Sequence, residues 1–189
     1  MAESNLKLRM MIITALFAAI IGILAQVTIP LPLVPITGQT LAIGLAATIL
    51  GAKYGTLSVV VYLGLGATGI PVFAQMSGGL GSLFGPTGGY LFGFIPTAFI
   101  IGYYLEKTSF TFANALIANV IGMFMALSVG TVWLKIFANL SWTGALMGGF
   151  IPFILVGLIK AALAAWIGIS VRNRLESASL LYLEDKKAL

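Results

Sequence analysis

Residues 147–171 read MGGFIPFILVGLIKAALAAWIGISV, an apolar run interrupted by one charge, Lys160. The run is longer than the roughly 20 residues a helix needs to cross the hydrocarbon core of a bilayer, and Arg172 and Arg174 follow it directly. Lys160 lies more than ten residues from either end, roughly 16 Å at 1.5 Å per residue, too deep for its ammonium to reach the headgroups easily. An ionisable side chain at that depth faces the interior of a bundle and marks a functional site. Between Glu3 and Glu176 the chain has a single acidic residue, Glu106, so the apolar segments hold no carboxylate to pair with this lysine. The expected partner is a small anionic or carbonyl-rich ligand. The alternatives are backbone carbonyls as acceptors or an amine that carries no charge.

The rest of the chain agrees with a membrane setting. It is 60% hydrophobic and 8% charged over 189 residues, with a mean hydropathy of +1.09, far too little polar surface to cover a water-soluble globule. There is no Cys and no His, which removes disulfides, thiolate metal sites and nearly every zinc or general-base constellation. No cofactor is expected. The net charge of +5 comes from residues at segment ends rather than along one face, the pattern of juxtamembrane anchors and not of a nucleic-acid surface.

Punctuation by Pro, Gly and charge divides the chain into six apolar segments: Met10–Ile29, Gln39–Gly51, Tyr54–Thr68, Thr87–Leu105, Phe112–Phe137 and Met147–Val171. The first follows Lys7 and Arg9 like a secretory leader, but it is long enough to span and is read as the first transmembrane helix. The second and third are short, which predicts tilting or shielding by neighbours. Lys7, Arg9, Lys53, Lys107, Arg172 and Arg174 all fall on one side of a six-span arrangement, whereas Pro30–Gly38, Gly69–Pro86 and Ala138–Leu146 carry no charge. Basic residues accumulate on the cytoplasmic side during insertion, so both termini are expected there. Residues Glu176–Leu189 read as a solvated cytoplasmic tail. Lys135, beside Trp133, reads as an interfacial anchor.

Two of the uncharged connections are rich in Pro, Gly and apolar residues, so they are expected to fold back onto the helices. In Pro30–Thr40 three prolines favour a stiff, extended path. Thr37, Gln39 and Thr40 then offer hydroxyl and amide groups to a polar ligand, or Thr37 or Thr40 simply caps the following helix. Gly66–Phe73 and Ser77–Tyr90 are dense in glycine, which lets backbone N–H and C=O groups approach a ligand closely. Non-helical backbone at membrane depth is tolerated only where it is buried or lines a cavity. The stretch lacks the Lys-Ser/Thr ending of a P-loop, so ATP hydrolysis is not expected of this chain.

The runs Val34–Thr40, Leu50–Gly55, Tyr62 through Phe73, Gly85–Tyr90 and Pro152-Phe153 through Lys160 together resemble the BioY family, the biotin-binding S components of energy-coupling-factor (ECF) vitamin transporters. The resemblance covers nearly the whole chain. It implies an all-α membrane protein with the six-helix S-component fold in a bacterial cytoplasmic membrane, biotin captured from the outer side, and partnership with a transmembrane T component and two ATP-binding-cassette ATPases. Two stretches depart from the family pattern. Leu155, Val156 and Gly157 stand where Pro-Gly-Asp is usual, so the ligand-facing carboxylate is missing at Gly157, and Gly38 replaces a common aliphatic residue.

On this reading biotin's ring system packs against Tyr90 and Phe73, while Thr37, Gln39, Thr40 and backbone groups of Gly78 and Gly79 bond its polar atoms. Lys160 meets either the ureido oxygen or the carboxylate. Ala15 and Ala19 form a small-xxx-small face on the first helix, expected either to contact the T component or to pack the helix internally. The rival readings are an S component for another small vitamin and a facilitator that needs no ATPase. A facilitator is disfavoured because the loops hold no ring of charges, and an intramembrane enzyme because Tyr, Ser and Lys alone make a poor nucleophile-base set.

Overall fold

The structure, a computed structural model, describes residues 2–178, 180 and 181. Its elements are α1 (Ala2–Ala25), β1 (Thr28–Ile29), β2 (Ile36–Thr37), α2 (Gln39–Ala67), a short turn at Ala74–Met76, α3 (Leu80–Leu83), α4 (Gly88–Lys107), α5 (Phe112–Phe137), α6 (Trp142–Gly149) and α7 (Ile151–Ser177). Among the described residues, five helical stretches are long and apolar enough to cross a membrane. The second of them is two helices in one.

A straight helix would place Gln39 and Tyr62 about 35 Å apart at 1.5 Å per residue, yet the Gln39 amide donates to the Tyr62 hydroxyl at 2.6 Å. The reversal occurs at Gly51, whose φ of 78° and ψ of −171° lie in a region that residues with a Cβ avoid. α2 is therefore a helical hairpin, and its arms are the two separate segments expected from sequence. Gly55 on the returning arm sits so close to Ala47 that a Cβ there would overlap the Ala47 backbone. Each arm alone is shorter than the hydrocarbon core, and α2 is the most buried of the five stretches, which is the shielding that short spans require.

The hairpin tip is capped by opposite charges from two other helices. Glu106, near the end of α4, accepts from the Ala52 N–H at 2.7 Å, at the start of the returning arm. Arg172 of α7 donates to the Ile49 carbonyl at 2.7 Å, lies 3.4 Å over the Phe110 ring and pairs with Glu176 at 2.7 Å. An anion at a helix start and a cation at a helix end both complement the backbone dipole. Met10, Ile49, Leu50 and Leu181 form one buried cluster at this same end. The basic ends of α1, α4 and α7 and the hairpin tip thus gather together, as the charge partition predicts. Leu181 is buried there, so the chain after α7 begins by packing against the protein; residues 182–189 of the expected tail lie outside the described residues.

Other boundaries differ from expectation for local reasons. α1 stops at Ala25 rather than Ile29 because β-branched Val27, Thr28 and Ile29 run into Pro30, which disfavours helix at the preceding residue. Thr28 and Ile29 instead pair antiparallel with Thr37 and Ile36, and the prolines occupy the loop of this ribbon. The last expected span is broken at Phe150 (φ −124°, ψ −62°), with Pro152 in the first turn of α7, since proline starts a helix readily but cannot continue one. α6 is capped by Ser141, whose hydroxyl accepts from Gly144 N–H at 3.1 Å. Lys135 has an aromatic neighbour, but it is Trp142 at 5.0 Å rather than Trp133; the Trp133 indole donates to Gly85 O at 2.9 Å. Two buried polar ties join the helices: Asn119 donates to Thr48 at 2.9 Å and Thr97 to Gly122 O at 3.1 Å.

Candidate binding site

Opposite the capped hairpin tip, the β1–β2 ribbon, the Phe73–Ser77 turn and helices α4, α5 and α7 enclose a cavity of about 270 Å³, near the lower end of the roughly 300–1,000 Å³ typical of small-molecule sites. Lys160 lines it, as do Thr37, Gln39, Thr40, Phe73, Tyr90 and Gly157. Among the described residues Lys160 is the single cation in its wall, and no carboxylate faces it. The lysine is half-buried and donates to the Thr37 carbonyl at 2.6 Å. One of the alternatives foreseen for it, a backbone acceptor, is therefore realised. A carbonyl leaves the positive charge in place, however, and an ammonium has three donors.

From this contact a chain of hydrogen bonds runs into the core. The Thr37 hydroxyl donates to Gln39 Oε1 at 2.7 Å, and Gln39 Nε2 donates to the Tyr62 hydroxyl at 2.6 Å. Gly38, just before α2, makes no side-chain cap; β2 thus delivers Thr37 to Lys160, and the first residue of α2 delivers Gln39 to the buried Tyr62. Linked side chains of this kind are held in single orientations before a ligand arrives, which lowers the ordering cost of binding.

The apolar wall is equally fixed. Phe73 is fully buried, edge-on to Tyr62 with ring centroids 5.5 Å apart, and its ring fills the space a Cβ at Gly66 would occupy. Tyr90 donates its hydroxyl to Gly149 O at 2.6 Å and lies 6.4 Å from the Phe153 ring, so it offers the cavity its ring and not its hydroxyl. Leu31 to Pro35 close one side, and Leu33 rests against Gly148 of α6. A Cβ at Gly157 would press on the Met123 thioether, the end of a flexible side chain.

Gly78 and Gly79 do not line the cavity. The Gly79 N–H donates to Gly66 O at 2.7 Å and the Gly78 carbonyl accepts from Ser82 at 3.0 Å, so both hold the loop in shape while Ser77 and Ser82 face the cavity. Ala15 and Ala19 are exposed on the outer surface of α1 and take no part in the site. Residues unremarked in the sequence complete the wall, above all Met123 and Leu127 of α5 and Leu91 and Phe94 of α4.

The BioY family profile matches residues 1–177 of this sequence. The chain belongs to the BioY family. A biotin transporter of Lactococcus lactis subsp. cremoris is 42% identical over 167 residues, covering 88% of this chain and 92% of that protein. A biotin transporter of Thermotoga maritima is also 42% identical, over 166 residues that cover 88% and 97% of the two chains. The crystal structure of the S-component for biotin from an ECF-type ABC transporter superposes with a TM-score of 0.81 at 34% identity, covering 89% of this chain and 93% of the other. The chain therefore has the S-component fold, with the ribbon, the turn and the α7 lysine converging on one chamber.

Proposed function

We propose that this chain is the biotin-capturing S component of an ECF-type uptake system and that biotin occupies the Lys160 cavity. The observation that carries this reading is a chamber with an aromatic and aliphatic wall and, among the described residues, one cation and no carboxylate. Biotin combines a flat ureido ring, an apolar thioether ring and chain, and a terminal carboxylate. Phe73 and Tyr90 pack against the rings, Thr37, Gln39 and Thr40 meet polar atoms, and Lys160 donates to an oxygen of the ligand. The biotin transporters that are 42% identical over most of both chains support the same substrate. The rival within the same class, another vitamin, is separated by titrating the purified chain with biotin in competition with a panel of vitamins. Biotin alone displaces bound biotin on this reading, and displacement by a different vitamin at lower concentration would overturn it.

The chain is a multi-pass protein of the bacterial cell membrane. Both termini lie in the cytoplasm, because Lys7, Arg9, Lys53, Lys107, Arg172 and Arg174 share one end, and the cavity then opens outward, beneath the uncharged ribbon and turn. A transmembrane T component and two ATP-binding-cassette ATPases complete the system. α1 offers its T component an exposed surface at Ala15 and Ala19, where small side chains permit close helix approach in a bilayer.

A further inference from the structure

Gln75 and Met76 are consecutive non-glycine residues with left-handed backbone, φ 58° and 56°. Such a conformation costs roughly 1–2 kcal/mol per residue and persists only where surrounding contacts over-determine it. The turn supplies part of that restraint itself: Phe73 N–H donates to Ser77 O at 2.9 Å and Ser77 N–H to Ala74 O at 3.3 Å. Two backbone groups at its centre, the Phe73 carbonyl and the Met76 N–H, point away from the turn. Both are taken by one side chain of another element.

Gln26, in the turn that ends α1, donates through Nε2 to Phe73 O at 3.0 Å and to Gly22 O at 3.1 Å. Its Oε1 accepts from Met76 N–H at 2.9 Å. Both amide hydrogens and the carbonyl oxygen are thus engaged, with the Gly22 bond holding the side chain to the α1 backbone. Gln26 does not line the cavity, but Phe73, Ala74, Gln75 and Ser77 do.

We infer that Gln26 is a positioning residue for ligand capture: it clamps the left-handed turn to the end of α1 and so sets the cavity wall at Phe73–Ser77. This rests on the Lys160 cavity being the biotin site. Loss of the clamp lets Gln75 and Met76 relax toward negative φ, which withdraws the Phe73 carbonyl and shifts the wall that the ligand meets. The clamp acts on the turn conformation, so a residue that favours that conformation by itself substitutes for it. Asparagine adopts the left-handed region several-fold more readily than methionine, and Met76 is 69% exposed and outside the cavity lining.

The test is calorimetric titration of biotin into the full chain in detergent, as wild type, Gln26→Leu, Met76→Asn and the double variant. Wild-type binding comes first, because its absence overturns the assignment of the site and not the clamp. Gln26→Leu is expected to weaken biotin about tenfold, the effect of removing two hydrogen bonds from the turn at the lower end of their usual net contribution. Met76→Asn binds as wild type, and the double variant recovers most of the loss. Wild-type affinity in Gln26→Leu overturns the inference, as does a loss that Met76→Asn fails to restore, since a residue that merely stabilised α1 would be indifferent to the preference at position 76. Should Gln26→Leu yield no folded protein, the double variant must restore both fold and binding, and its failure counts against the clamp.

Discussion

Replacing Lys160 by Met removes the one charge among the described residues of the cavity wall while keeping a flexible chain of similar length. The ammonium has three donors, of which the Thr37 carbonyl takes one at 2.6 Å, leaving at least one to meet a ligand oxygen. Hydrogen bonds from a charged donor contribute about 1.5–3 kcal/mol, which at about 1.4 kcal/mol per tenfold is a loss of roughly 10- to 150-fold in biotin affinity. The upper part of that range applies here because no carboxylate among the described wall residues competes for the charge. The substitution also leaves the Thr37 carbonyl without its donor, so the ribbon loses a tie to α7 and the dissociation rate is expected to rise more than the association rate falls. Isothermal titration of Lys160→Met in detergent gives the affinity, and stopped-flow displacement of a fluorescent biotin derivative gives the two rates. Unchanged affinity would remove Lys160 from the site and refute the reasoning, whatever the rates show.

Three further outcomes follow from other contacts. Gly157→Asp pushes the Met123 thioether aside and sets a carboxylate one helical turn from Lys160; accepting from a ureido N–H, it should tighten biotin about tenfold by the same titration, and weaker binding would mean that the new carboxylate only neutralises the lysine. Ala15→Trp with Ala19→Trp fills the exposed face of α1, so co-purification with a T component should be lost while biotin affinity is unchanged; retained assembly excludes that surface. Gly51→Ala places a Cβ against the Glu106 carboxylate at a φ of 78°, and the backbone term alone costs about 1–3 kcal/mol, so the thermal midpoint in detergent should fall by several degrees with biotin affinity preserved in the folded fraction.

Lys160 is legible because apolar sequence leaves a charge at that depth no ordinary role, while Thr37 and Gln39 are legible as polar groups beside the prolines, where a helix cap is the competing reading. Phe73 and Tyr90 stood out through the motifs around them. Met123 and Leu127 are harder to read: α5 is largely apolar, and the polar mark on their face, Asn119 four residues before Met123, distinguishes inward from lipid-facing but is spent on Thr48 and not on the cavity. Gly78 and Gly79 misled because a glycine that permits close approach to a ligand is indistinguishable in sequence from one that permits close approach to Ile70 and Gly66, the contacts observed here. The reversal at Gly51 falls beside Lys53, the charge that separates the second and third apolar segments, while its caps, Glu106 and Arg172, are pairings over 54 and 123 residues that no local pattern announces. The break at Phe150 hid inside an uninterrupted apolar run, with Pro152 as its one local signal.

The most direct measurement is an experimental structure of the chain with biotin added. Density for one biotin is expected between the ribbon and α5, its rings against Phe73 and Tyr90, with an oxygen within hydrogen-bonding distance of Lys160 Nζ. Biotin elsewhere, or an empty cavity with the Lys160 amine turned toward lipid, would contradict the account.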